Sequence, residues 1–323
     1  MGGNPVHDDT DTGLVQRDAV EVAFDDHDVA LALPEADLRE WQPGDTAPAD
    51  FAIVWRPPRE MLTERAGLRA IFNLGAGVDA VLALERQYPG TLPRTAQLVR
   101  LEDTGMAPQM AEYVTHAVLR YLRRLDEYET LQAQRRWKVL DPHPRDTFTV
   151  GVLGLGVLGT HVARSLVPFG MPVRGYSRSA RQIDGVTTFA GEAQFDAFLS
   201  DVKVLVNLLP HTPDTHDMLN RRTFSKLARG AYLINVARGA HLVEQDLLEA
   251  LADGQIAAAT LDVFREEPLP VDHLFWQEPR ITITPHSSAQ TLREESVAQV
   301  AQKIAALMRG ETVSGVVDIE RGY

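Results

Sequence analysis

The feature that most constrains the fold is a regular alternation of short apolar runs with helix-like stretches, which begins near Thr147. Each run has the length of a buried strand and is apolar almost throughout, as strands are when both faces of their sheet are covered. The six strand candidates are FTVGVLG, PVRGYS, VKVLVNLL, GAYLINVA, AAATLDVF and RITITP. Helical stretches separate most of these runs, so consecutive strands are expected to run parallel and to be joined by crossovers. The pattern therefore predicts an α/β fold built on a doubly wound parallel sheet.

A second group of apolar runs precedes this region, between about Val20 and Leu101. Its strand candidates are AVEVAF, DFAIVW, LRAIFNL and TAQLVRL. Apolar residues at helical spacing predict one long amphipathic helix over residues 107–128, and the proline-rich residues 141–146 after it predict a linker. Another amphipathic helix is predicted over about residues 289–308, and we expect it to pack back across the first group of strands.

Three glycines follow the first strand of the larger group with the spacing G-x-G-x-x-G: Gly154, Gly156 and Gly159. The motif alone is weak evidence, but here it joins an apolar strand to a helical stretch, as a dinucleotide-binding turn does. In that context Gly154 allows the tight turn, Gly156 lets the backbone approach a pyrophosphate, and Gly159 lets the helix pack close to the strand. The pyrophosphate then binds N–H groups at the positive end of the helix. The alternative, a structural turn in a packed core, is disfavoured by this strand–turn–helix context.

The end of the next strand distinguishes the two nicotinamide cofactors. A site for NAD(H) usually has an acidic side chain there, about 20 residues after the glycines, which binds the ribose hydroxyls. Here the strand ends in Ser177, followed by Arg178, Ser179 and Arg181. Hydroxyl and guanidinium groups bind a 2′-phosphate that a carboxylate would repel. We therefore predict NADP(H) as the preferred cofactor and NAD(H) as the second choice; the alternative is that these arginines are solvated surface residues.

Three charged residues stand at the ends of later strands: Arg238 in INVARGA, Glu267 in LDVFREEPLP and His286 in ITPHSSA. In a doubly wound sheet these ends border the ligand crevice. An arginine there can clamp a substrate carboxylate, and a histidine can donate a proton to a carbonyl oxygen. A glutamate beside the histidine would favour its protonated form and fix its orientation. Each residue alone could be an ordinary surface group, but the three together predict reduction of a 2-ketoacid to a 2-hydroxyacid.

The chain resembles the D-isomer-specific 2-hydroxyacid dehydrogenase family over nearly its whole length after about residue 20. The segments that match the signatures of that family, in order, are NLGAGVD (73–79), GVLGLGVLG (151–159), LVNLLPHTPDT (205–215), LINVARG (233–239), LDVFREEPLP (261–270) and TPH (284–286). More narrowly, it is similar to the glyoxylate/hydroxypyruvate reductase A branch through VWRPPREML (54–62), RLEDTGMAPQMAEYV (100–114), YSRSARQ (176–182) and the final RGY. The resemblance implies an oxidoreductase that reduces glyoxylate or hydroxypyruvate with NADPH, giving glycolate or D-glycerate, and that forms a homodimer.

The same resemblance implies roles for individual residues. Arg238 would bind the substrate carboxylate and polarise the carbonyl, His286 would be the general acid in reduction, and Glu267 would pair with His286. Asp262 would accept a hydrogen bond from the nicotinamide carboxamide; the alternative is a satisfied carboxylate at a strand end. The further cofactor-binding residues that the resemblance implies are Gly154, Gly156, Leu158, Gly159, Leu209, Pro210, Thr212, Val236 and Ala237. The further substrate-binding residues are Trp55, Arg56, Ala76 and Gly77, with a core position as the alternative for Trp55 and a plain glycine turn for the last two.

We expect two Rossmann-like domains with doubly wound parallel sheets and a cleft between them. Residues 1–18 are predicted to form a polar tail. Residues 19–108 and 292–323 are predicted to form a discontinuous substrate domain, and residues 109–291 the NADP-binding domain.

Composition excludes several other classes of protein. The net charge of −13 argues against nucleic-acid and anionic-membrane partners, and the absence of cysteine excludes disulfides and thiolate metal sites. No apolar run approaches the roughly 20 residues of a membrane span, and the first residues lack the apolar core of a signal peptide. We therefore expect a cytoplasmic enzyme without a metal. Two alternatives stay open: a dehydrogenase that uses a bulkier 2-ketoacid or NADH, and a non-catalytic NAD(P)-sensing regulator.

Overall fold

Two parallel sheets organise the chain. The computed structural model describes residues 19–22, 36–63, 65 and 67–323, and for residues 19–22 only the backbone. The polar tail predicted over residues 1–18 lies outside the described residues.

The smaller sheet is formed by the N-terminal part of the described chain. Its strands are β1 (Ala19–Val22), β2 (Asp37–Glu40), β3 (Phe51–Val54), β4 (Ala70–Asn73) and β5 (Gln97–Arg100). They lie in the order β2-β1-β3-β4-β5, and every pair of neighbours is parallel. Among the described residues, two helices accompany them, α1 (Arg59–Leu62) and α2 (Asp79–Gln87).

The larger sheet carries the glycine motif. Its strands are β6 (Val150–Leu153), β7 (Val173–Ser177), β8 (Val186–Ala190), β9 (Val204–Asn207), β10 (Ala231–Asn235), β11 (Ile256–Leu261) and β12 (Ile281–Ile283). They lie in the order β12-β11-β10-β9-β6-β7-β8, and all neighbours are parallel. The chain therefore runs outward from β6 in one direction and then returns to build the other half from β9. Such a switch point between two strands is where open α/β sheets bind ligands.

The described chain has seven further helices, and most of them pack on one of the two sheets. They are α3 (Met106–Leu122), α4 (Leu125–Ala133), α5 (Val157–Leu166), α6 (Phe195–Leu199), α7 (Arg221–Lys226), α8 (Glu244–Ala252) and α9 (Arg293–Met308). The apolar face of α3 packs with α5 against the larger sheet, where Tyr121 stacks on Tyr232 with 4.2 Å between the ring centroids. The last helix, α9, instead packs Val297, Val300 and Ile304 on the smaller sheet. In the part of the chain that the structure describes, no helix has both the length and the apolar character needed to cross a bilayer.

Each sheet contains one strand more than the sequence predicted, and neither additional strand has a fully buried residue. The strands β2 and β8 are the outermost members of their sheets, and most of their side chains are partly or fully exposed. An edge strand covers less of the core, so its sequence can be polar, as DLRE and VTTFA are. The continuous apolar signal that reveals a central strand is therefore missing.

The prediction of one long helix over residues 107–128 is wrong. Helix α3 ends at Leu122 and α4 begins at Leu125, because Arg124 between them adopts a left-handed conformation with φ = +57°. Helix α4 buries none of its residues, and a charged pair between Arg124 and Glu127 (2.7 Å) closes its first turn. The apolar spacing that predicted one helix runs on to Leu125, the first residue of α4, and it does not report the backbone conformation of Arg124 that separates the two helices.

Candidate active site

Loops at the carboxyl ends of strands from both sheets enclose a cavity of about 2160 Å³. Typical small-molecule sites measure about 300–1000 Å³, so this cavity has room for a dinucleotide and a small acid together. All residues predicted to bind cofactor or substrate line it, with the exception of Asp262. They are Trp55, Arg56, Ala76, Gly77, Gly154, Gly156, Leu158, Gly159, Ser177, Arg178, Ser179, Arg181, Leu209, Pro210, Thr212, Val236, Ala237, Arg238, Glu267 and His286.

The three glycines of the motif differ in what surrounds them. Gly154 has φ = +94°, and a Cβ atom there would lie 2.7 Å from the carbonyl oxygen of Leu208. A Cβ atom on Gly159 would lie 1.8 Å from the carbonyl oxygen of Gly154, so this glycine lets α5 pack on the turn. At Gly156, by contrast, a Cβ atom would meet nothing within 4 Å. The turn thus leaves open space beside the first N–H groups of α5, which is where a pyrophosphate would bind.

The corner at the end of β7 contains hydroxyl and guanidinium groups. Ser177 is the last residue of β7, and its hydroxyl donates a hydrogen bond to the carbonyl oxygen of Ser179 at 2.8 Å. Arg178 is half exposed and pairs with the carboxylate of Asp214 at 3.3 Å. Arg181 is exposed on the same rim of the cavity. A hydroxyl therefore occupies the strand end at which an acidic residue would select NAD(H).

His286 and Glu267 form a direct pair. The Nδ1 atom of His286 lies 2.8 Å from Oε2 of Glu267, while the Oε1 atom of Glu267 accepts the backbone N–H of Phe264 at 3.0 Å. Both carboxylate oxygens are thus engaged, which orients the imidazole. With Nδ1 bound to the carboxylate, Nε2 is the ring nitrogen left for a ligand in the cavity.

Asp262 holds the loop that carries His286. Its carboxylate is fully buried and accepts three hydrogen bonds, from the hydroxyl of Thr284 (2.5 Å) and from the backbone N–H groups of Ser287 (2.8 Å) and Ser288 (2.9 Å). The backbone N–H of His286 donates to the carbonyl oxygen of Asp262 at 2.8 Å. His286 itself has φ = +53°, a conformation that costs a non-glycine residue about 1–3 kcal/mol. The structure therefore places Asp262 beneath the loop rather than on the cavity wall, and a contact with a nicotinamide stays a prediction.

The hydroxyl of Tyr113 extends this network from α3. It lies 2.6 Å from the hydroxyl of Thr284, which already donates to Asp262, so Tyr113 is the donor. Burial raises the pKa of Tyr113 to about 12, which keeps the phenol protonated and able to donate at neutral pH.

Arg238 reaches the cavity from the loop after β10 and contacts residues that follow strand β4 of the smaller sheet. Its Nε donates to Oδ2 of Asp79 at 2.7 Å, and its Nη1 donates to the carbonyl oxygen of Ala237 at 2.6 Å. Its Nη2 lies so close to Gly77 that a Cβ atom there would be 1.7 Å away. These contacts leave the hydrogens of Nη2 and one hydrogen of Nη1 for an acidic ligand. Asp79 was missed in the sequence reasoning, although it is the only charged residue of NLGAGVD.

Trp55 and Arg56 stand at the mouth of the cavity on the smaller-sheet side. The side chain of Trp55 is 52% exposed, so the alternative of a core position is wrong. Its ring lies against Gly75, where a Cβ atom would come within 2.6 Å of it. The guanidinium of Arg56 lies 6.0 Å from the centroid of the same ring. An apolar surface and a cation are thus presented together near Ala76 and Gly77.

A buried polar cluster lies beneath the cavity and was also missed. The amide of Asn207 donates to Oδ1 of Asn235 at 2.9 Å and to Nδ1 of His241 at 2.8 Å, and all three side chains are fully buried. Because Nδ1 accepts, the proton of the neutral ring is on Nε2, which lies 3.3 Å from the carbonyl oxygen of Pro210. Asn235 in turn binds the backbone of Ala237 and Arg238. A sequence signal exists, since β9 and β10 both end in asparagine and the two asparagines pair in register.

Comparisons with known proteins agree on one family. The family described as D-isomer specific 2-hydroxyacid dehydrogenase, NAD binding domain, matches residues 115–288. Glyoxylate/hydroxypyruvate reductase A from Serratia proteamaculans (strain 568) is 60% identical over 291 residues, which cover 90% of this chain and 93% of the relative.

Two solved structures are similar over almost their whole length. A D-isomer specific 2-hydroxyacid dehydrogenase from Xanthobacter autotrophicus Py2, in complex with NADPH and MES, is 36% identical with a TM-score of 0.87, and the match covers 95% of this chain and 100% of that one. An NADPH-dependent glyoxylate/hydroxypyruvate reductase from Sinorhizobium meliloti, in complex with NADP and sulfate, is 36% identical with a TM-score of 0.85 and the same coverage.

Proposed function

The chain belongs to the D-isomer-specific 2-hydroxyacid dehydrogenase family, and on that premise we propose that it reduces glyoxylate and hydroxypyruvate with NADPH, to glycolate and D-glycerate. The observation that carries this proposal is the convergence of three parts on one cavity. These parts are the glycine turn with its Ser177–Arg178 corner, the Glu267–His286 pair, and Arg238. The relatives from Serratia proteamaculans and Sinorhizobium meliloti are both named glyoxylate/hydroxypyruvate reductases, which supports the choice of substrate.

The cofactor would be held by backbone and by cationic side chains. The N–H groups at the start of α5, beside the open space at Gly156, would bind the pyrophosphate. Ser177 and Arg178, assisted by Ser179 and Arg181, would bind the 2′-phosphate. Leu158, Leu209, Pro210, Thr212, Val236 and Ala237 would complete the cofactor side of the cavity. When bound, NADPH supplies the hydride that reduces the keto carbon.

His286 would supply the proton. Glu267 holds Nδ1 at 2.8 Å, which directs Nε2–H to the developing alkoxide oxygen of the substrate. In the oxidation direction the same nitrogen would accept the hydroxyl proton. The network beneath, from Asp262 to Ser288, keeps this ring in place.

The substrate carboxylate would bind between the two sheets. Arg238 would donate from Nη2 and Nη1, while Asp79 holds its Nε. The backbone N–H groups of Ala76 and Gly77 would complete the carboxylate site, and Trp55 with Arg56 would close its mouth. A carboxylate in this position lies beside a cation that the protein has already oriented, so binding costs little reorganisation.

We also propose the domain division and the assembly. Residues 19–108 with 292–323 would form the substrate domain, supported by the packing of α9 on the smaller sheet, and residues 109–291 the NADP domain, supported by the packing of α3 on α5. A homodimer would form through the segment after α4, where Trp137 is 100% exposed and Val139 is 83% exposed. Sedimentation of the protein and of a Trp137→Ala variant tests this, because a wild-type monomer would contradict it.

A substrate-by-cofactor panel tests the proposed reaction. Purified protein is assayed with glyoxylate, hydroxypyruvate, pyruvate and phenylpyruvate, each with NADPH and with NADH. We expect the highest kcat/KM with glyoxylate or hydroxypyruvate and NADPH. A kcat/KM with NADH equal to that with NADPH would overturn the cofactor assignment. A preference for phenylpyruvate would favour the dehydrogenase for a bulkier 2-ketoacid. Cofactor binding without turnover of any substrate would favour a non-catalytic regulator.

A further inference from the structure

Residues 315–317 extend the smaller sheet beside β5. The backbone N–H of Arg100 donates to the carbonyl oxygen of Gly315 at 3.0 Å, and that of Val317 donates to Leu98 at 2.8 Å. Val316 pairs with Val99 in an antiparallel bridge, and the side chain of Val317 is buried in the apolar core on one face of that sheet. This segment is therefore fixed to the smaller sheet.

A turn then takes the chain toward the larger sheet. The N–H of Gly322 donates to the carbonyl oxygen of Asp318 at 2.8 Å, and the carboxylate of Asp318 pairs with Arg321 at 3.1 Å. Gly322 has φ = +83°, and a Cβ atom there would lie 3.5 Å from Cγ2 of Thr212 and 4.0 Å from Cδ1 of Leu82. The turn thus sits between the loop after β9 and helix α2, and residues 321–323 line the cavity.

Tyr323 completes this turn by contacting Arg178. The Cζ atom of Arg178 lies 5.2 Å from the centroid of the Tyr323 ring, within the range of a cation–π interaction. The same guanidinium pairs with Asp214, whose side chain is 80% exposed. The guanidinium of Arg178, at the end of β7, is therefore held by an exposed carboxylate and by an aromatic face.

We propose that Tyr323 is a positioning residue for the 2′-phosphate of the cofactor, and that the preference for NADP(H) over NAD(H) depends on it. This rests on the proposed function, in which Arg178 binds that phosphate. The ring restricts the guanidinium before the phosphate arrives, so less side-chain freedom is lost on binding. The consequence is that a residue carried by the smaller sheet contributes to cofactor selection on the larger one.

The test is the binding of phosphorylated and unphosphorylated ligands to the whole protein by calorimetry. The ligands are NADP⁺, NAD⁺, 2′,5′-ADP and 5′-AMP, and the variants are Tyr323→Ala and Tyr323→Phe. We expect Tyr323→Ala to weaken NADP⁺ and 2′,5′-ADP about three- to fivefold, as an exposed cation–π contact would, and to leave NAD⁺ and 5′-AMP unchanged. Tyr323→Phe keeps the ring and is expected to bind like the wild type.

Two controls make the result specific. Tyr88 has the same kind of contact with Arg59, at 4.8 Å, but lies outside the cavity; Tyr88→Ala is expected to leave all four affinities unchanged. In an Arg178→Ala background, Tyr323→Ala should have no further effect on NADP⁺ binding, because its partner is already absent.

The outcomes separate this proposal from the proposed function. Equal weakening of NAD⁺ and NADP⁺ by Tyr323→Ala, or no weakening of either, would overturn the positioning role. If instead the wild type binds NAD⁺ as tightly as NADP⁺, the cofactor assignment of the proposed function itself fails. If Arg178→Ala leaves the preference for NADP⁺ intact, Arg178 does not bind the 2′-phosphate, and the positioning role of Tyr323 fails with it.

Discussion

The imidazole of His286 enters the cavity with one nitrogen bound to a carboxylate and its backbone in a left-handed conformation. Both features are supported by neighbours, since Glu267 is itself held by a backbone N–H and Asp262 binds the loop on either side of the ring. A surface histidine would not need this support. The arrangement is expected of a residue whose position must be maintained while a proton is transferred.

Replacing His286 by glutamine should therefore abolish turnover with little effect on cofactor binding. Glutamine is similar in size but cannot donate a proton at neutral pH, so we expect kcat to fall about 10²- to 10⁴-fold. Steady-state kinetics and the Kd of NADPH, measured by fluorescence titration, check both parts. An unchanged kcat in this variant would refute the acid–base role.

The Asp79–Arg238 pair leads to a second prediction at this scale. Removing the carboxylate in Asp79→Ala releases Nε of Arg238, so the guanidinium loses part of its orientation toward the substrate. We expect KM for glyoxylate to rise about tenfold, since misplacing a positioning contact typically costs one to two orders of magnitude. Asp79→Asn retains an oxygen acceptor, so its KM should lie between the KM of the wild type and that of Asp79→Ala. If KM is the same in all three proteins, Asp79 does not position the arginine.

At the level of elements, every strand with an apolar run was predictable, including the edge strands β5 and β12, whereas the exposed edge strands β2 and β8 were not. Strands such as VGVL and AYLIN are buried along their whole length, and the apolar runs that predicted them reflect that burial directly. The edge strands β2 and β8, and the break at Arg124, left no such signal. The ends of β9 and β10 are intermediate, because the paired Asn207 and Asn235 are visible in the sequence while the second partner of Asn207, His241, is not predictable from either.

From the buried cluster of Asn207, Asn235 and His241 we predict that the stability of the fold depends on pH. Burial lowers the pKa of His241 to about 4, whereas an unfolded histidine has a pKa of about 6.5. Between those values the unfolded chain binds a proton that the folded chain does not, so the stability present above about pH 6.5 is lost as pH falls toward 4. Protonation of Nδ1 would also place its N–H against the N–H of the Asn207 amide, so that two donors face each other and the hydrogen bond is lost.

Urea unfolding at pH 7 and pH 5 measures the effect. We expect His241 to lower the free energy of unfolding by about 2 kcal/mol over this interval. The comparison is His241→Gln, which has an acceptor and a donor but no titrating group. Between pH 7 and pH 5 its free energy of unfolding should fall by about 2 kcal/mol less than that of the wild type. Identical pH dependence in the two proteins would contradict the assignment.

At the scale of the whole molecule, the cavity depends on contact between the two sheets. Arg238 follows a strand of the larger sheet, whereas Asp79, which holds it, and Gly77, which lies beside it, follow a strand of the smaller one. Tyr323 makes the reverse connection, from the smaller sheet to Arg178. Cofactor and substrate would therefore bind where each half of the molecule positions residues of the other.

A methyl group at Gly77 should disturb this contact. In Gly77→Ala the new Cβ would lie 1.7 Å from Nη2 of Arg238, so the guanidinium must move. We expect kcat/KM for glyoxylate to fall about 100-fold, with the affinity for NADPH unchanged. Gly67→Ala is the matched control, because its methyl group would be in ordinary contact, 3.6 Å from the carbonyl oxygen of Ala49. A Gly77→Ala enzyme as active as this control would refute the prediction.

The sequence by itself determined the α/β class, the glycine turn and the three charged residues at strand ends. These are local properties. Apolar runs indicate buried strands, spaced glycines indicate a tight turn, and charged residues that follow parallel strands indicate a ligand crevice. Only the tertiary structure decided that Asp262 lies beneath the cavity wall, that Asp79 holds Arg238, and that Tyr323 meets Arg178. Asp79 and Arg238 are 159 positions apart, and their meeting depends on how two separately formed sheets face each other, which no local pattern encodes.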